Sequence, residues 1–238
     1  MKKIDINCDV GEGVNNEDKL MPYIQSCNIA CGGHAGSKKV MQNIVSLAIK
    51  HNVKIGAHPS YPDAENFGRK KMVLAPDELK KSIQDQINLL LKIVKEQGAA
   101  LYHIKPHGAL YNDIAKSDDL SAEFLDVIMP YKNKVKLYVP YNSAIETNAL
   151  KKGFSIIYEA FADRNYNDDL SLVSRQEKEA LITNPEEILQ HISEMVDTQK
   201  VTTVSGKKVP IKAATFCVHS DTENAIEIVK ALYNHSFL

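Results

Sequence analysis

The 238-residue chain predicts an α/β fold in which about seven parallel strands close into a barrel. Three observations point there. Short apolar runs alternate with amphipathic helical stretches along almost the whole chain, and repeated strand-then-helix order implies a parallel sheet with right-handed crossovers. The first run ends in Asn7-Cys8-Asp9-Val10-Gly11-Glu12-Gly13, an acidic turn that repels phosphate, where an open doubly wound sheet carries a glycine-rich phosphate loop. Polar and titratable groups gather where the strands end, as they do in barrel enzymes.

The predicted strands are residues 4–8, 27–31, 53–57, 101–105, 135–139, 155–159 and 214–219. Each is short and rich in β-branched or aromatic residues, as buried parallel strands are. Between them lie the helices. Ser37 precedes Val40, Met41, Ile44, Val45 and Ala48, and serine is a good N-cap. Leu79, Ile83, Ile87, Leu90, Leu91 and Val94 recur at three- and four-residue steps and form one apolar stripe. Asn184-Pro185-Glu186-Glu187 supplies a cap and a first-turn proline ahead of Ile188, Leu189, Ile192 and Met195. Ser220 and Glu223 read as a capping box before Ala225, Ile226, Ile228, Val229 and Leu232. Residues 201–211 break the alternation; Ser205-Gly206 marks a turn, so this segment is expected to be an inserted β-hairpin. With no repeat, low-complexity tract or linker, residues 1–238 are expected to form one domain.

Composition narrows the function. A net charge of −1 gives no reason to expect nucleic acid as a partner. No segment approaches the ~18 apolar residues of a membrane span, and Met1-Lys2-Lys3-Ile4-Asp5 lacks the apolar core of a signal peptide. Cytoplasmic residence is therefore expected. Cys8, Cys27, Cys31 and Cys217 lack the paired spacing of a zinc ribbon and read as buried thiols.

The candidate site follows the strand ends in order. The first contributes Asn7, Asp9 and Glu12, the second His34 in a glycine-rich turn at 31–36, the third His58 before Pro59. The fourth carries His103, Lys105 and His107 at alternating positions, hence on one face. The sixth leads to Glu159, Asp163 and Arg164, and the last to His219 and Asp221. Strand starts carry Lys54, Lys134 and Lys136 instead. Arg164 reads either as an ion-pair partner of Asp163 or as a bidentate clamp on a substrate carboxylate. Asp221 reads as a substrate contact or a helix cap. The glycines of 31–36 offer backbone N–H groups to an oxyanion.

Taken together, the blocks Asp5–Glu12, Asn28–Gly36, Ile55–Pro59, Phe67-Gly68-Arg69, Lys105–Asn112, Phe161–Arg164 with Tyr166, and Cys217–Thr222 resemble the LamB/YcsF family, the A subunits of 5-oxoprolinase. The blocks run from first strand to last. The resemblance implies an irregular (β/α) barrel related to the glycoside hydrolase and deacetylase superfamily. It implies ATP-dependent cleavage of 5-oxo-L-proline (pyroglutamate) to L-glutamate, together with the B and C subunits of 5-oxoprolinase, which resemble the halves of an allophanate-hydrolase-like protein. No Gly-x-x-x-x-Gly-Lys-Ser/Thr loop occurs, so ATP is expected to be a co-substrate handled with the partners. Asp9, Glu12, His34, His58, Lys105 and His107 are the expected catalytic group, and Asn7, Asp163, Arg164, His219 and Asp221 the expected substrate contacts. Asp9, Glu12 or His58 would be the general base; Lys105 or Arg164 would hold the substrate carboxylate; His107 and His34 would stabilise charge at the carbonyl oxygen. Ser37 and Ser220 stand where members commonly have Asp and Gly. Two rival readings remain open: a metal-dependent amide or acetyl hydrolase with a divalent ion on Asp9, His34 and His58, and a non-catalytic chain that only binds the substrate.

Overall fold

Apolar alternation along the first strand drives the chain inward from its start, and the computed structural model, which describes residues 4–237, begins there. In chain order the elements are β1 (Asp5–Val10), α1 (Glu17–Leu20), β2 (Ser26–Ala30), α2 (Lys38–Lys50), β3 (Lys54–His58), α3 (Pro76–Glu96), β4 (Leu101–Ile104), α4 (Gly108–Lys116), α5 (Asp118–Ile128), β5 (Lys136–Pro140), α6 (Ala144–Lys151) and β6 (Ile156–Phe161). Then come α7 (Pro185–Thr198), the hairpin β7 (Lys200–Thr202) and β8 (Lys208–Pro210), β9 (Thr215–His219) and α8 (Ala225–Phe237). Strands β1-β2-β3-β4-β5-β6-β9 form a closed parallel barrel of seven, with β9 back against β1. Strands β7 and β8 form a separate antiparallel two-stranded sheet outside the barrel.

The helices bury the stripes their periodicity defines. On α3, Leu79, Ile83, Ile87, Leu90 and Val94 are all buried, each contributing roughly 1.5–3 kcal/mol of apolar transfer. Leu91 is only half-buried, and Ile93 packs in its place. Ser37 caps α2 by accepting from the Val40 amide at 3.3 Å. Asn184 caps α7 through Glu186 N–H at 2.8 Å and Glu187 N–H at 3.3 Å. The expected capping box at Ser220 and Glu223 is not at a helix end. A turn at 220–224 intervenes before α8 starts at Ala225, and the Ser220 carbonyl instead accepts from Asn16.

The barrel interior is polar and cross-linked by hydrogen bonds toward its lower half. Asn7 donates to Thr215 Oγ1 (2.9 Å) and accepts from Asn28 Nδ2 (2.7 Å), while His103 Nε2 lies 2.6 Å from Asn28 Oδ1 and its ring stacks on Tyr138 at 3.9 Å. The His103 ring takes the space where any side chain at position 56 would begin: a Cβ there would sit 2.0 Å from its Nε2, which is why β3 carries Gly56. All four cysteines are free and buried, and burial pushes the Cys27 and Cys31 thiols up to about 12. Among the described residues no helix is long and apolar enough to cross a membrane.

Candidate active site

Three levels of charge rise through the barrel from this floor to the C-terminal ends of the strands. In the lowest, Lys105 Nζ lies 3.0 Å from Asp9 Oδ1, Glu159 Oε1 and Cys217 Sγ, and 5.2 Å from the Phe161 ring centroid. Lysine is almost never this buried without partners, and here two carboxylates supply them. Burial alone would lower the Lys105 pKa, but Asp9, Cys217 and Glu159 outweigh it and raise it well above the usual lysine range. Burial likewise works against the Asp9 carboxylate, yet His58 and Lys105 hold it well below the carboxylate range. The fixed internal charge of Lys105 thus keeps Asp9 ionised. Holding a substrate carboxylate would require it to release one of these partners.

The second level is a cluster of Glu12, His34, His58 and His107, whose nearest nitrogen and oxygen atoms all lie within 4.8 Å of one another. Glu12 Oε1 is 2.8 Å from His34 Nε2, 3.2 Å from His107 Nδ1 and 3.7 Å from His58 Nε2. His58 Nε2 also lies 3.4 Å from Asp9 Oδ2 and 3.0 Å from His107 Nδ1. Burial would raise the Glu12 pKa, but the His107 and His34 imidazoles beside it hold it far below the carboxylate range. Burial lowers His34 to about 4 and also lowers His107, so both are neutral at physiological pH. For His58, burial is outweighed by Asp9, and its pKa is raised. Such a set can bind a cation or stabilise charge at a carbonyl oxygen.

Local structure explains the convergence. Gly32 N–H bonds Ala35 O (2.7 Å), and at Gly36 (φ +88°) a Cβ would lie 2.2 Å from Ala30 O; this tight turn folds His34 back over β2. The Gly32 amide is therefore already engaged within the turn. On the apolar face of α3, buried Gln86 accepts from Ser60 N–H (3.0 Å) and donates to Ser60 O (2.9 Å), fixing the chain just beyond His58.

The third level opens to solvent as a cleft of about 500 Å³, lined by Asp9, His58, Lys105, His107, Arg164 and His219 among others. Here Asp163 holds His219: its carboxylate accepts from the His219 amide (2.8 Å), from Thr222 Oγ1 (2.6 Å) and from Nδ1 at 3.0 Å. Burial would raise the Asp163 pKa, but His219 and Thr222 lower it, so the carboxylate is ionised and the Nδ1 proton stays on the imidazole. An oriented base of this kind leaves Nε2 for proton transfer. A loop at 162–184 covers the cleft, and Arg164 secures it by donating to the Val173 and Ala180 carbonyls. Asp221 sits at the rim, 2.7 Å from Arg69 and 3.5 Å from Arg175, gathering two cations beside the cleft they line.

The structure brings Asp9, Glu12, His34, His58, Lys105, His107 and His219 together. Asn7 lies one level below them, buried with its side chain engaged by Asn28 and Thr215, and His103 lies there too. Asp163, Arg164 and Asp221 act on His219, the covering loop and the rim arginines respectively. His34 meets Glu12, where the expected metal set paired it with Asp9 and His58. Arg69, Arg175 and Lys116 also line the cleft and were not among the expected contacts. Arg69 lies inside a family block, while Arg175 comes from an irregular loop without a sequence signal. A wider depression of about 740 Å³ at the opposite end, between Lys54, Tyr102, Lys134 and Lys136, is lined by no carboxylate or imidazole among the described residues.

The same fold recurs in a known protein structure, and the sequence has known relatives. The LamB/YcsF family model matches residues 4–236. This chain belongs to the LamB/YcsF family. Members named as the A subunit of 5-oxoprolinase, from Bacillus cereus and Bacillus thuringiensis, are each 40% identical to it, over 98% of this chain and 94% of theirs. The crystal structure of a lactam utilization protein from Thermus thermophilus superposes with a TM-score of 0.89 at 33% identity, covering 98% of this chain and 95% of that one. This chain thus shares its fold with that protein, and the names of its relatives speak of lactam utilization and of a subunit.

Proposed function

We propose that this LamB/YcsF chain opens 5-oxo-L-proline to L-glutamate as the A subunit of an ATP-dependent 5-oxoprolinase, working with the B and C subunits. The observation that carries the reading is kinship over nearly the full length with chains of that name. The chemistry of the cleft is compatible with it. A five-membered lactam is an unstrained amide that re-forms from glutamate, so net opening requires coupling to ATP. In this reading His219, its tautomer fixed by Asp163, takes a proton from water and returns it to the leaving ring nitrogen. The lactam carbonyl lies against His58 and His107, which line the cleft beside Asp9. The substrate carboxylate is met by the cationic rim of Arg69 and Arg175, with Arg164 behind it. ATP is handled with the partner chains.

The test is glutamate release from 5-oxo-L-proline by this chain with its B and C partners, with and without ATP. Glutamate is expected only when both partners and ATP are present. A folded complex that releases none sinks the substrate assignment; turnover of an acetylated sugar without ATP would then favour a metal-dependent amide or acetyl hydrolase.

A further inference from the structure

The hydrogen-bonding pattern around His58 and His107 carries an inference independent of the lactam reading. His58 Nδ1 is 2.7 Å from the Lys105 carbonyl, and His107 Nε2 is 2.9 Å from the Phe67 carbonyl. A carbonyl oxygen only accepts, so each of these nitrogens carries the ring's proton. With both rings neutral, the other two nitrogens, His58 Nε2 and His107 Nδ1, present lone pairs to each other across 3.0 Å. Glu12 Oε1 faces both, at 3.7 and 3.2 Å. Three electron-pair donors thus lie within 3.7 Å of one another.

A cation between them, a proton or a metal ion, relieves this contact. One proton on His58 Nε2 can be directed at His107, Asp9 or Glu12, and in each case leaves another of these donor pairs unbridged. A single metal ion satisfies all three. In a tetrahedral site with bonds of about 2.0–2.1 Å, ligand atoms lie about 3.3 Å apart. The three separations here, 3.0, 3.2 and 3.7 Å, bracket that value. Committing the outer N–H of a ligating histidine to a backbone carbonyl is the usual arrangement around protein metals.

We propose that His58 Nε2, His107 Nδ1 and the Glu12 carboxylate bind one divalent ion of the zinc class, with its remaining side open to the cleft. His34 is a positioning residue. Its ring stacks on His107 at 3.6 Å with an interplanar angle of 3°, and in-plane lone pairs of parallel stacked rings cannot meet at one ion. Its Nε2–H instead donates to Glu12 at 2.8 Å and sets that carboxylate. An ion here would act as a Lewis acid toward a carbonyl or bound water.

The experiment needs no turnover, so its failure is separable from failure of the substrate assignment. The full chain is stripped with chelator and titrated with Zn²⁺ by calorimetry and with Co²⁺ by visible absorption. The expected result is one equivalent, with a dissociation constant of about micromolar or tighter. A rise in Tm with Zn²⁺ and d–d bands of a low-coordinate Co²⁺ site should accompany it. His58→Ala and His107→Ala should each weaken binding at least ~100-fold, and His34→Phe by ~10–100-fold with the stoichiometry kept. If the alanine variants do not fold, zinc-edge absorption on the wild-type chain decides, since two imidazoles must appear in the shell. No saturable binding, a shell of water oxygens alone, or unchanged affinity in folded His58→Ala and His107→Ala overturns the proposal.

Discussion

At the scale of single residues, the site rests on pairs in which a buried group fixes the state of its neighbour. Lys105 holds Asp9 ionised inside the barrel and pairs with Glu159, an arrangement whose worth depends on every partner being present. Asp163 in turn orients His219. The sign of its contribution to stability follows from its lowered pKa. In the unfolded chain an aspartate titrates near 3.9, above the folded value. Between the two the unfolded state binds more protons, so stability is full above about pH 4 and falls as pH drops through the folded pKa. Asp163→Asn should cost about 1.5–3 kcal/mol at neutral pH, the value of hydrogen bonds to a charged acceptor. It should also remove this acid-side loss. Urea unfolding of both proteins at neutral pH and at about pH 3 measures it. Equal acid-side losses would mean that Asp163 is not held ionised by His219.

At the scale of elements, strand ends and close approaches decide where side chains go. The gathering of titratable groups at the C-terminal ends was legible in the sequence, whereas the single strand face expected for His103, Lys105 and His107 was not kept: β4 ends at Ile104, and Lys105 and His107 follow it, His107 directly ahead of α4. The depth of each residue was not legible, because it depends on strand stagger in the closed barrel. His103 pairs across to Lys136 near the start of β5, and so falls in the floor with Asn28 and Tyr138, while His107 reaches the cleft. Gly56 makes the point testable. An alanine Cβ there would lie 2.0 Å from His103 Nε2, and the ring is held by Asn28 and Tyr138, so overpacking should cost about 1–3 kcal/mol. For a chain of this size that is a Tm lower by roughly 5 °C, read by circular dichroism. An unchanged Tm would show that the His103 ring moves freely and that the floor is not rigid.

At the scale of the whole molecule, the fold was readable because local signals agreed with one another: strand-helix alternation, helix caps at Ser37 and Asn184, and the turn at Ser205-Gly206 each correspond to an observed element. What escaped was long-range. Asp221 meets Arg69 across 152 positions of sequence, and Arg175 reaches the same carboxylate from an irregular loop. No periodicity encodes such contacts. Nor does spacing reveal that His34 faces Glu12, since the tight turn after β2 sets that direction. The assembled barrel joins a fixed internal charge, a histidine cluster and an oriented Asp163–His219 pair to one cleft rimmed by arginines. The proposed lactam opening draws on that union.

The most direct test compares glutamate release from 5-oxo-L-proline, with ATP and the B and C partners, for complexes built on the wild-type chain and on His219→Ala. ATP-dependent release is expected from the wild type, and a kcat lower by ~10²–10⁴-fold from the variant, with assembly intact. An assembled His219→Ala complex turning over at the wild-type rate would contradict the role given to the Asp163–His219 pair.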